Sequence, residues 1–157
     1  MQAQCFRTPW TAIDILNMIV PSAIHGLALL APFHFNWFAI RIALVLLHVT
    51  SLSVTLSYHR NLAHRSFKLP RWLEYSFAYC GVLSLQGSLI EWVSTHRIHH
   101  QFTDTSIDPH TPFKGFWYSH IGWIVAYHSR FATDEAKLLN NVRDLKKQWY
   151  YRFLHYT

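Results

Sequence analysis

Charge is what this chain has least of. Only 14% of its 157 residues are Asp, Glu, Lys or Arg, against roughly a quarter in ordinary soluble domains. Cysteine is nearly absent too: Cys5 and Cys80 stand far apart with no CxxC, so neither a disulfide framework nor a thiolate metal site is supported and the compartment stays open. Five glycines leave no room for a flexible Gly/Ser linker, and no repeat or low-complexity tract appears. The formal net charge of +6 comes without a basic run of the kind that tracks phosphates, which argues against nucleic acid as a partner. Met1 to Pro9 lacks the basic start, apolar core and small-residue cleavage site of a secretory leader.

What replaces charge is apolar surface, 51% of the residues, with 17% aromatic. Ala12 to Phe33 is apolar apart from Asp14, Asn17, Ser22 and His25, and Phe38 to Tyr58 apart from Arg41, His48 and several hydroxyls. Each approaches the ~20 residues that cross ~30 Å of hydrocarbon, and Pro21 kinks such a helix without excluding it. The short link between them predicts a transmembrane hairpin over about 12–33 and 38–58, with Trp10, Phe35 and Trp37 in the interfacial belt. Tyr75 to Ile90 is uncharged but only sixteen residues long, flanked by Glu74 and Glu91; it reads as a helix that dips into the membrane from one side. Phe113 to Phe131 mixes Trp117, Tyr118, Trp123 and Tyr127 with His120, His128 and Arg130 as an interfacial helix would, and Thr133 to Thr157 is polar and basic. The expected fold is therefore an all-α integral membrane protein. Arg60, Arg65, Lys68 and Arg71, within twelve residues after the hairpin, place the downstream residues on the cytoplasmic or equivalent side.

Five of the twelve histidines gather at the edges of these apolar stretches: His59 and His64 in YHRNLAHRSF, and His96, His99 and His100 in WVSTHRIHHQF. Neutral imidazole is the commonest protein ligand for iron, zinc or copper. Five exceed the three or four that one ion in a simple catalytic site takes from protein, so the set predicts two metals. On a helix, positions i, i+3 and i+4 share a face; His96, His99 and His100 can thus face one cavity, the last two splayed toward different ions. His59 and His64 lie about 140° apart on an ideal helix and converge only if the helix ends or bends between them, a break that Asn61, a weak helix former, could mark. A lone histidine is more often a surface or hydrogen-bonded residue; clustering reverses those odds.

SYHRNLAHRSFKLPRWLEY and EWVSTHRIHHQFTDTSIDPHTPFKGFWYSHIGW resemble the first and second histidine boxes of the membrane fatty acyl desaturases of the delta-9 type, closest to the plant acyl-lipid and acyl-CoA branch. The likeness runs from about Trp10 to Tyr156. It implies membrane helices under a cytosolic cap, a di-iron centre that zinc can occupy on purification, and a hydrophobic acyl tunnel. It also implies O2 and two electrons from cytochrome b5 or ferredoxin, spent on a cis double bond in a fatty acyl-CoA or acyl-lipid. By position, His59, His64, His96, His99 and His100 would be metal ligands and Trp92 would line the tunnel, although interfacial packing explains Trp92 equally well. The implied location is the endoplasmic reticulum or a plastid membrane, with the boxes facing the cytosol or stroma.

The family's third box, H-x-x-H-H, and a second membrane hairpin do not occur in these 157 residues; His110, His120, His128 and His155 are isolated. Residues 1–157 thus read as a single incomplete desaturase domain, an N-terminal portion expected to be inactive alone. A histidine-box hydroxylase and a non-catalytic degenerate membrane fragment are the alternatives. Asp104 and Asp108 could brace ligand histidines, but a turn around DPH is the stronger reading for Asp108. Packing or interhelical hydrogen bonds are expected for His25 and His48. Arg65, Lys68 and Arg71 read equally as topology charges or as contacts to phosphates.

Overall fold

The computed structural model describes residues 10–125 and 139–156. Cys5, His128, Arg130 and the segment Met1 to Pro9 lie outside them, as does the end of the expected Phe113 to Phe131 helix. Every regular element among the described residues is helical. They fall into two compact units, one of residues up to Asn36 and from Phe102, the other of Trp37 to Gln101 and the C-terminal residues.

In the first unit, α1 spans Ala12–Ala28. Thr11 caps it: its Oγ1 accepts from Asp14 N at 3.2 Å while Asp14 Oδ2 accepts from Thr11 N at 2.9 Å, satisfying two otherwise orphaned donors. Asp14, an interruption of the apolar pattern, is therefore a fully buried cap. The helix runs through Pro21 but stops short of the expected Phe33. Pro32 lacks the N–H that would bond back to Ala28 and disfavours helical geometry at Ala31, and a 3-10 turn, Ala31–His34, takes over. Phe102 onward forms a loop braced by buried Asp108, then a 3-10 turn at Pro112–Lys114, a π-helical turn at Tyr118–Gly122 and a last turn, α5, at Trp123–Val125 that packs on α1.

The second unit begins with α2, Trp37–Leu52, which has no buried residue. It continues without a break into an eleven-residue π-helix, Ser53–Ala63. Together Trp37–Ala63 is the one described helix long and apolar enough to cross a membrane. The π-helical half differs sharply from α2 in burying Val54, Tyr58 and Leu62 against α3, Arg71–Val82, and α4, Leu89–Gln101. A 3-10 turn at Leu139–Val142, α6 at Arg143–Lys146 and α7 at Trp149–His155 close this core with Val142, Leu145, Tyr151 and Leu154. The Tyr58 ring packs close to α3 at residue 81 because that residue is glycine; a Cβ there would sit 2.6 Å from the ring.

The single dipping helix expected from Tyr75 to Ile90 is instead two helices. Leu85 and Gly87 adopt φ of +55° and +83°, outside the right-handed helical region, and Ser84 Oγ donates to the Gly81 carbonyl at 2.7 Å, ending α3.

Candidate metal centre

The π-helix explains why His59 and His64 meet. Its i→i+5 bonding widens the turn beyond the 3.6 residues of an α-helix, and the bond His64 N to His59 O, 2.9 Å, is one of that series. A five-residue spacing, which diverges on an α-helix, is brought much closer to one face on this one, and the two rings meet. The expected break at Asn61 does not exist: Asn61 is buried mid-helix and its Nδ2 donates to the Phe67 carbonyl at 3.0 Å. Helix α4 presents His96 and His100, one turn apart, to the same point.

The Nε2 atoms of His59 and His64 are 3.2 Å apart, as are those of His64 and His96. One ring nitrogen from each of His59, His64, His96 and His100 lies within 4.8 Å of all the others. Two nitrogens each ~2.0–2.1 Å from one ion stand about 2.9–3.4 Å apart, so the observed spacings suit a shared cation. His99 stands beside this quartet, its ring 5.2 Å from that of His100 and 6.2 Å from that of His96. The adjoining pocket, about 120 Å³, is lined by Ala63, His64, His96, Arg97 and His100. Burial first, then the neighbouring histidines, pushes His96 down to about 3, and the same causes lower His100. Both rings are held neutral, the state in which imidazole donates a lone pair to a metal. The donor set thus fits a soft-to-borderline transition metal such as iron or zinc.

Around the quartet, Trp92 stacks on His96 with ring centres 5.1 Å apart and meets the edge of Tyr58 at 5.7 Å. Its Nε1 donates to Gln86 Oε1 at 3.1 Å.

The fatty acid desaturase family model matches residues 35–156, which include all five clustered histidines. Three relatives from Arabidopsis thaliana are similar over nearly the whole chain. Delta-9 acyl-lipid desaturase 1 is 53% identical over 94% of this chain and 48% of its own length. Delta-9 desaturase-like 1 protein is 54% identical over 97% and 50%. The chloroplastic palmitoyl-monogalactosyldiacylglycerol delta-7 desaturase is 53% identical over 94% and 40%. The chain belongs to the fatty acid desaturase family. It spans about half the length of the curated desaturases it matches.

Among the described residues, the histidines outside the cluster make other contacts. His25 and His48 donate from Nδ1 to the carbonyls of Pro21 and Leu44, each 2.7 Å away; these bonds stay within their own helices rather than crossing between helices. His120 stacks on Phe116, His110 meets the edge of Trp123, and His155 bonds Ser88 Oγ. Asp108 Oδ1 accepts from His110 N and its Oδ2 from Asp104 N, both at 3.1 Å, an Asx-type brace of the DPH turn. Arg65 does more than mark topology, since it pairs with Asp144 at 2.8 Å.

Sequence reasoning missed Arg97 and Asp144. Arg97, inside HRIHH, is bidentate to Asp144 at 2.9 and 3.0 Å. Burial raises the Asp144 pKa, but the hydrogen bonds and charges of Arg97 and Arg65 outweigh it and leave the carboxyl below its ordinary value. An arginine interrupting a histidine triplet was the available signal.

Proposed function

We propose that this chain carries two of the metal-binding histidine clusters of a membrane acyl desaturase, and that the whole protein converts a saturated acyl chain to a cis-unsaturated one. The convergence of His59, His64, His96 and His100 within the family-matched residues carries this reading. His99 completes the set as a fifth ligand, directed to a second ion. The net reaction removes two hydrogens from adjacent methylenes while O2 takes those electrons and two more from a carrier, cytochrome b5 or ferredoxin, and leaves as two waters. A bound iron pair would supply the oxygen activation that breaking an unactivated C–H bond demands.

The chain's own residues hold and shield that chemistry. His96 and His100 are held neutral, the ring nitrogens of the quartet are aimed at one point, and Trp92, stacked on His96, gives the acyl chain an apolar wall and keeps water off. The substrate class is an acyl-lipid or acyl-CoA; the relatives named acyl-lipid and monogalactosyldiacylglycerol desaturases favour the lipid-linked form. Helix α2, with exposed Leu44, Val45, Leu46 and Leu47, enters the bilayer of the endoplasmic reticulum or a plastid, with α1 as the partner span and the histidines on the cytosolic or stromal side.

Four or five imidazoles do not complete the shells of two irons, so the 157 residues alone are expected to give no unsaturated product in a desaturase-deficient host. Joined to the unmatched half of delta-9 acyl-lipid desaturase 1, they should restore cis double bonds, read by chromatography of fatty-acid methyl esters. A well-expressed, metal-loaded fusion without product would favour the non-catalytic reading.

A further inference from the structure

Arg97 sits between two of the histidines, yet its guanidinium is spent on holding three chain segments together. Nη1 donates to Asp144 Oδ1 at 2.9 Å and Nη2 to Asp144 Oδ2 at 3.0 Å, a fork-to-fork pair with the arginine side chain 13% exposed. Nη2 also donates to the Leu62 carbonyl at 2.6 Å, two residues before His64, and Nη1 donates to the Asn141 carbonyl. From the other side, Arg65, directly after His64, donates to Asp144 Oδ2 at 2.8 Å. Asn141 closes the loop: its Oδ1 accepts from Ser94 Oγ at 2.8 Å and its Nδ2 donates to the Ser94 carbonyl at 3.0 Å, two residues before His96.

One carboxylate therefore ties the residue after His64 to the residue after His96. The two histidines come from different helices, and their 3.2 Å contact is as fixed as the join between the π-helix end and α4. Bidentate arginine–carboxylate pairs are the strong, directional ones, and removing one partner leaves the other's charge uncompensated. We infer that Asp144 and Arg97 are positioning residues that set the separation of His64 and His96, and through it the affinity of the site for metal. The inference rests on the metal-centre reading. Neither residue is placed as a ligand; each acts through the histidine beside its anchor.

The test is a Co2+ titration of the 157-residue chain in detergent micelles, followed by the d–d absorption band, with far-UV circular dichroism as the measure of folding. Asp144→Asn, which keeps size and removes charge, should weaken Co2+ binding about tenfold or more, the range seen when outer partners of ligands are lost. It should also shift the band while helix content stays that of the parent. Asp144→Glu should recover most of the affinity, and Arg143→Gln, an exposed neighbour that donates to Asn140 Oδ1 in its own turn, should change nothing. A folded Asp144→Asn chain with the parent's affinity and spectrum overturns the inference. If that variant loses its helices, Arg97→Lys decides: it keeps the charge and loses the fork, and parent-like binding in a folded Arg97→Lys chain overturns the inference equally. Failure of the unaltered chain to bind Co2+ would instead bring down the metal-centre reading, and this inference with it.

Discussion

Gly81→Ala should destabilise the protein through one aromatic ring. An alanine Cβ at that position would lie 2.6 Å from Tyr58 Cε1, 2.7 Å from Cζ and 3.0 Å from the hydroxyl oxygen. Carbon atoms settle at ~3.5–4.0 Å, so the ring must retreat by about 1 Å. Tyr58 has no slack for that: it is fully buried, its hydroxyl donates to the Ala78 carbonyl at 3.3 Å, and its far edge meets Trp92. Overpacking of this kind costs about 1–3 kcal/mol, and the better helix propensity of alanine returns about 1 kcal/mol. The net loss is about 0–2 kcal/mol, centred near 1 kcal/mol, or about 2–4 °C in melting temperature at that centre for a chain of this size. Thermal unfolding in detergent, followed at 222 nm, measures it. Tyr58→Leu, which removes the colliding ring, should make the added Gly81→Ala change nearly neutral, so the two substitutions should couple by at least about 0.5 kcal/mol. Strictly additive effects, or a Gly81→Ala chain more stable than the parent, would refute the packing argument.

Acidification should weaken the metal-free fold. The unfolded chain protonates His96 near its ordinary 6.5 whereas the folded chain resists until about 3; the unfolded state therefore binds more protons in between, and stability present above 6.5 is lost progressively as pH falls toward 3. Urea midpoints that do not move between pH 7 and pH 4.5 would contradict this. For topology, cysteine-labelling tags at the N-terminus and near His110 should report one side of the membrane and a tag near Asn36 the other; opposite faces for the first two would reject the two-span arrangement.

The histidines were legible because ligand chemistry has a spacing, and His96 and His100 follow the α-helical one. That His59 and His64 must meet was also legible, but the means was not. Along the widened turn Ser53, Ser57 and Asn61 are buried, and the helix packs on the α3 and α4 helices that follow it, so no pattern within the segment itself announces it. The apolar count placed a helix over 38–58, which falls within the long apolar helix Trp37–Ala63, and missed both breaks, since Pro32 and the Leu85–Gly87 bend act through backbone geometry that hydropathy does not register. Asp144 was invisible for another reason: its partner Arg97 is 47 residues away, and a single pair at that separation leaves no periodicity to read.

Whether imidazoles from the two clusters share a metal is read most plainly from metal content. The purified chain, loaded with Co2+ and desalted, should retain at least one ion with a d–d band. A His64→Ala, His96→Ala double variant should lose both metal and band, while a His25→Ala, His120→Ala variant keeps them. Equal Co2+ in the first double variant and the parent would contradict a shared site.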